Sequence, residues 1–385
     1  MRFSFRLMAL AVSVLPLVAS AASVDLLVGS YTAGEQPGVY AFRFDTDSGR
    51  LDAKPWQQVR LDNPSWLALS ADQKRVYAVN ENGPGARDVV GRATALVIDA
   101  QHRLTVQNQV ATLGDEPTFA SLSPDGHYLL VANYSVHADP GGTLAVLPIA
   151  SDGSLRPVTQ LSAYQASHVD TVRQLSSHIH SVNFGPDGKF VYVADLGGDR
   201  VYAYRYLPGD HAEHPLQPAA TPFLTLPPGS GPRHLVFDKA GRHAYLTLEM
   251  AGQVAVLDVG ADGALTLRKV VNLYAPGFHG SQGAGAIHLS ADGRFLYAVN
   301  RGTDNHIAVF AVGADGALSL LQRRSGEGRQ AREFSIDPSG RFLLVAVQGE
   351  DRIAVIARDP ATGRLGQTLQ TVPVRTPSDI KFLKP

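Results

Sequence analysis

The chain has 385 residues, 44% of them hydrophobic and 18% charged, with 34 Lys and Arg against 35 Asp and Glu for a net charge of −1. Its basic residues are scattered rather than clustered, which argues against a nucleic acid or an anionic membrane as partner. There is no cysteine, so disulfides, Cys-ligated zinc and thiol nucleophiles are excluded together.

Residues 1–22 carry Arg2 and Arg6, an apolar run over 7–19 broken only by Ser13 and Pro16, and then Ala19-Ser20-Ala21. This pattern predicts a cleaved signal peptide. The run is shorter than the ~20 apolar residues a spanning helix needs, so no membrane span is expected after cleavage. Periplasmic or secreted localisation follows, with residues 23–385 as one domain.

From there the chain reads as short apolar runs separated by turn residues. The runs 26–30 and 39–44 come first, followed by six copies of one unit centred on 67–80, 120–133, 182–195, 235–248, 287–300 and 334–347. Each unit is an apolar run, a tight turn, a second apolar run, a polar loop and a third run, such as 254–258 or 307–311. Turns such as Asp152-Gly153, Asp262-Gly263 and Asp315-Gly316 then open a fourth strand. Four antiparallel strands recurring about every 50 residues are the mark of β-propeller blades. Residues 378–383 match a first strand only, while 26–30 and 39–44 match a second and a third. Joining the two ends completes a seventh blade, and the expected fold is an all-β, seven-bladed propeller with its closing blade shared between the N- and C-terminal strands. Closure removes the exposed edges that template aggregation.

In such a blade the start of the first strand and the end of the second share one face. Stacking the repeats therefore defines a ring at one mouth of the channel. Strand-one starts contribute Ser65, Thr118, His180, Arg233, Gly285, Arg332 and Ser378; strand-two ends contribute Tyr31, Glu81, Tyr134, Leu196, Glu249, Arg301 and Gln348. The scaffold repeats but the mouth does not, as expected where a site is grafted on a repeat fold. No nucleophile elbow, P-loop or dinucleotide fingerprint is present. Ser281, in Gly280-Ser281-Gln282-Gly283, reads as loop punctuation. His178 and His180 lie one residue apart and could face a metal together, but the cationic mouth has no carboxylate cluster, so no metal and no cofactor are expected.

The segments Val28-Gly29-Ser30-Tyr31-Thr32, 38–44, Ser177-His178-Ile179-His180-Ser181, 187–197, Gly231-Pro232-Arg233-His234 and Asn300-Arg301-Gly302 resemble the seven-bladed lactonase family over the whole mature chain. That family includes propeller-type 6-phosphogluconolactonases, periplasmic gluconolactonases and carboxymuconate-lactonising enzymes. Many relatives have Pro where this chain has Ile179. The resemblance implies metal-independent catalysis by His180, Arg233, Glu249 and Arg301. Outside that family set, Arg332, Glu81 and Tyr134 of the ring, with His178 beside it, are the residues expected to bind substrate. Opening a lactone needs a base for water and positive charge where the carbonyl oxygen becomes anionic. His180 or Glu249 can be the base; a carboxylate between two guanidiniums is the weaker one, which favours His180. Three functions follow as expectations: hydrolysis of a free sugar lactone of the gluconolactone type; hydrolysis of its 6-phosphate, with Arg332 holding the phosphate; or binding of a protein or glycan without catalysis.

Overall fold

The structure, a computed structural model, describes residues 23–32, 36–135, 141–209 and 213–384. The expected signal peptide lies outside the described residues. Seven antiparallel sheets are arranged as blades. The first blade is built from Trp66–Leu69, Arg75–Asn80, Arg92–Ile98 and Leu104–Ala111, and five more follow in the same order. The seventh pairs Pro377–Phe382 with Ser23–Ser30, setting Val28 opposite Ile380, and Ser23–Ser30 pairs in turn with Val39–Asp45. The ring therefore closes as expected. The outer strand of this blade, which the repeat did not reveal, is split into Arg50–Leu51 and Gln57–Val59. Among the described residues no helix is long and apolar enough to cross a membrane.

Second strands are buried almost throughout, as in Tyr128–Asn133 and Phe342–Val347. Apolar residues on both of their faces pack against the next blade, so the core is a series of inter-blade layers. At the closure, for example, Leu26, Phe42 and Phe44 pack against Phe342, Leu344 and Val355. A polar device repeats between the layers. Tyr192 donates its hydroxyl to the Gly263 carbonyl at 3.0 Å, Tyr245 to Gly316 at 3.0 Å and Tyr297 to Gly363 at 2.6 Å, each reaching the outer turn of the following blade. Gly263 has φ +81°, and a Cβ there would lie 2.4 Å from the Phe190 ring. The Asp-Gly turns thus do more than reverse the chain: they let one blade's turn lie flat on the preceding blade's second strand.

Candidate active site

Two local features aim the mouth residues. At the start of most first strands the pairing register slips. Ile179 faces Asp195 while Ser181 faces Ala194, which leaves His180 as the extra residue of a bulge. The same slip leaves Thr118, Arg332 and Ser378 unpaired in their blades and spans Arg233 and His234 in theirs. A bulge inserts one residue and turns its side chain out of the alternating pattern, here at the mouth of the channel. The second feature is a buried Asn or Asp ending the second strand. Asp195 accepts the His178 amide at 2.8 Å, and Asn300 accepts that of Gly283 at 3.0 Å, pinning the segment that leads into strand one.

Glu249 is the hub. Arg233 Nε and Arg301 Nη2 each lie 2.9 Å from its Oε2. Both arginines are buried, Arg233 to 1% side-chain exposure, and Arg301 is further held by Nε donation to the Gly283 carbonyl at 3.2 Å. Burial alone would raise the Glu249 pKa, but the charges of Arg301 and Arg233 outweigh it and keep the carboxyl far below the usual carboxylate range. Burial and the neighbouring Arg301 both work against the charge on Arg233, and Glu249 opposes them. The carboxylate is what lets two buried guanidiniums sit side by side.

His180 lies beside this pair, its ring 5.1 Å from His234 and 5.5 Å from Tyr134. Its Nδ1 is buried without a protein hydrogen-bond partner, as are the hydroxyls of Ser65 and Ser378. With His180 and Arg233 these residues line a narrow cleft at the channel mouth. Burial, and then the charge of Arg233, hold the His180 pKa well below the ordinary 6.5, so its ring is neutral at neutral pH. Next to it Trp66 and Phe119 stack with ring centres 4.2 Å apart, and His234 lies edge-on to both. His234 approaches Glu333, which binds His288 at 2.7 Å.

The other expected residues separate into two groups. Glu81 and Arg332 meet at 3.6 Å; Tyr31 donates to the same Glu81 oxygen at 2.8 Å, and the Arg332 guanidinium lies 5.3 Å from the Tyr31 ring centre. Arg332 therefore has its own carboxylate and aromatic face. Tyr134 stacks on His178, ring centres 4.6 Å apart. His178 Nδ1 lies within hydrogen-bond distance of the Tyr134 and Ser135 carbonyls, so its ring serves as a shelf under Tyr134. Sequence reasoning missed Arg173, which donates to Glu249 Oε1 at 2.8 Å and to the Tyr134 hydroxyl at 3.1 Å. It lies on a loop outside the repeat, where stacking of blades gives no signal. His234 was visible only as the neighbour of Arg233. Among the described residues no group of His, Asp and Glu is gathered as a metal site.

Comparison with known proteins bears on this arrangement. The family described as "Lactonase, 7-bladed beta-propeller" matches residues 25–382. The structure of a periplasmic gluconolactonase, PpgL, from Pseudomonas aeruginosa superposes with a TM-score of 0.91 at 49% identity, covering 94% of this chain and 99% of that one. A putative 6-phosphogluconolactonase from Bacteroides fragilis superposes with a TM-score of 0.85 at 34% identity, covering 96% of this chain and 100% of its own. By sequence, a 6-phosphogluconolactonase of Bacillus subtilis is 32% identical over 359 residues, 92% of this chain and 97% of the relative. The match runs the length of the propeller, and the chain belongs to the seven-bladed β-propeller lactonase family.

Proposed function

We propose that the protein hydrolyses a free sugar lactone of the gluconolactone type to the open aldonic acid, outside the cytoplasm. The observation that carries this reading is the pairing of Arg233 and Arg301 on one Glu249 oxygen, next to a buried, neutral His180 whose Nδ1 has no protein partner. The lactone carbonyl oxygen lies against the two guanidiniums. His180 takes a proton from water as the water oxygen attacks the carbonyl carbon, and charge moves onto the carbonyl oxygen, where the arginines stabilise it. Collapse of the tetrahedral intermediate breaks the bond to the ring oxygen, which receives the proton from His180; the new acid then ionises. Glu249 keeps the arginines charged and side by side, and its own basicity is spent on them.

A free lactone is favoured over a phosphorylated one because Arg332, the cation expected to hold phosphate, is already engaged by Glu81 and Tyr31. The predicted export signal and the 49% identity to a protein described as a periplasmic gluconolactonase support the same choice. The test is a pH-stat assay of the mature protein on glucono-1,5-lactone and on its 6-phosphate, corrected for spontaneous opening. Acceleration on the free lactone is expected. Strict dependence on phosphate would assign the protein to the 6-phosphate, and no acceleration on either would leave a binding propeller.

A further inference from the structure

Glu249 has two oxygens, and they are held differently. Oε2 faces Arg233 and Arg301, which are 1% and 9% exposed, the first within a blade strand and the second just after one. Oε1 accepts from Arg173, whose side chain is 43% exposed and which belongs to the loop 164–178 leading into the third blade. That loop is tied down on either side of Arg173. Asp170 accepts the backbone amides of Val172 and Arg173 at 2.8 and 2.7 Å, and Gln174 donates from its side chain to the buried Leu196 carbonyl at 2.9 Å. The backbone is fixed, so the guanidinium reaches the mouth from one side. Its Nη2 spans Glu249 of the fourth blade and the Tyr134 hydroxyl of the second, and Tyr134 in turn stacks on His178 and meets His180 edge-on.

We propose that Arg173 is a positioning residue of this site, bracing Glu249 against Tyr134 so that the arginine pair and His180 keep their working geometry. The inference rests on the lactonase reading for its kinetic consequence. Without Arg173, Glu249 loses its hold on Oε1 and Tyr134 loses the donor on its hydroxyl, while Arg233, Arg301 and the fold remain. Because misplacement of reacting groups by about 1 Å costs up to ~10²-fold, Arg173→Ala is expected to lower kcat about ten- to a hundredfold with KM nearly unchanged. The half-exposed position leaves an opening from solvent, so guanidinium ion at tens of millimolar should restore turnover to Arg173→Ala, and Arg173→Lys should retain most of it. Arg233→Ala, whose gap is sealed, should not respond.

A second measurement does not depend on turnover. The imidazole proton resonances of His178 and His180, assigned through His178→Asn and His180→Asn, feel the Tyr134 ring current. They should move in Arg173→Ala and return on addition of guanidinium. Full kcat in Arg173→Ala, or a loss that neither guanidinium nor Lys repairs, overturns the inference. So do unmoved histidine resonances. A wild-type protein inert on lactones, with resonances that still shift and recover, would instead sink the lactonase reading and leave the bracing role standing.

Discussion

Replacing Glu249 by Gln tests the organising idea of the site, that one carboxylate permits two buried guanidiniums. In the native protein Arg233 and Arg301 each lie 2.9 Å from Oε2 and are 1% and 9% exposed. Gln keeps the shape but removes the charge, leaving like charges together in a desolvated pocket. Breaking a buried pair this way costs about 3–5 kcal/mol. With ~2.1 cal/mol/K of unfolding entropy per residue, a propeller of this size shifts by roughly 1.3 °C per kcal/mol, so Tm should fall by about 4–7 °C at neutral pH. The effect has a signed pH dependence. The folded pKa of Glu249 is depressed below its ordinary 4.5, so its stabilisation is fully present above that value and is lost as pH falls through the lowered folded pKa. The Tm gap between wild type and Glu249→Gln, followed by circular dichroism melts from pH 7 to pH 3, should be constant above about pH 5 and narrow below pH 4. Adding Arg301→Gln to Glu249→Gln should recover part of the lost stability, since it removes a charge left without a partner. A Tm within about a degree of wild type at pH 7, or a double variant less stable than the single one, would refute the account of Glu249 as the counter-ion of the pair.

Other expectations follow from the same geometry. Arg233→Ala and Arg301→Ala should each lower kcat on the lactone about 10²- to 10³-fold, the scale of losing one oxyanion donor, measured by pH-stat at saturating substrate. His180→Asn should be severely impaired and lose the acid limb of the rate profile; in wild type that limb should lie below the ordinary histidine range, because burial favours the neutral ring, which is the active base. Exhaustive chelation should leave turnover intact, and restoration of lost activity by calcium or zinc would contradict the arginine-based mechanism. N-terminal sequencing of the native exported protein should begin near Ala22 or Ser23.

The propeller and its ring were legible in the sequence because both depend on local order. Turn residues at fixed offsets mark strand ends, two-residue alternation marks faces, and repetition aligns one blade with the next. That is enough to bring His180, Arg233, Glu249 and Arg301 to one mouth, and to join 378–383 with 26–30. It also explains the silence about the split outer strand at Arg50–Leu51 and Gln57–Val59, which is short, lies at the rim and follows no repeat.

What only the tertiary structure decided is who pairs with whom. The ring alone offers Glu81 and Glu249 to three arginines, but blade rotation about the axis gives Arg332 to Glu81 and leaves Arg233 and Arg301 to share Glu249. The register slips at His180 and Arg332 are likewise tertiary: the repeats place both residues at the mouth, but the bulge that turns each side chain breaks strand alternation and appears only in the pairing. Arg173 comes from a segment with no counterpart in other blades, and its reach to Glu249 spans 76 positions of chain. Repeats record what each blade must share to pack; the pairings at the mouth depend on distances between blades, which exist only once the ring has closed.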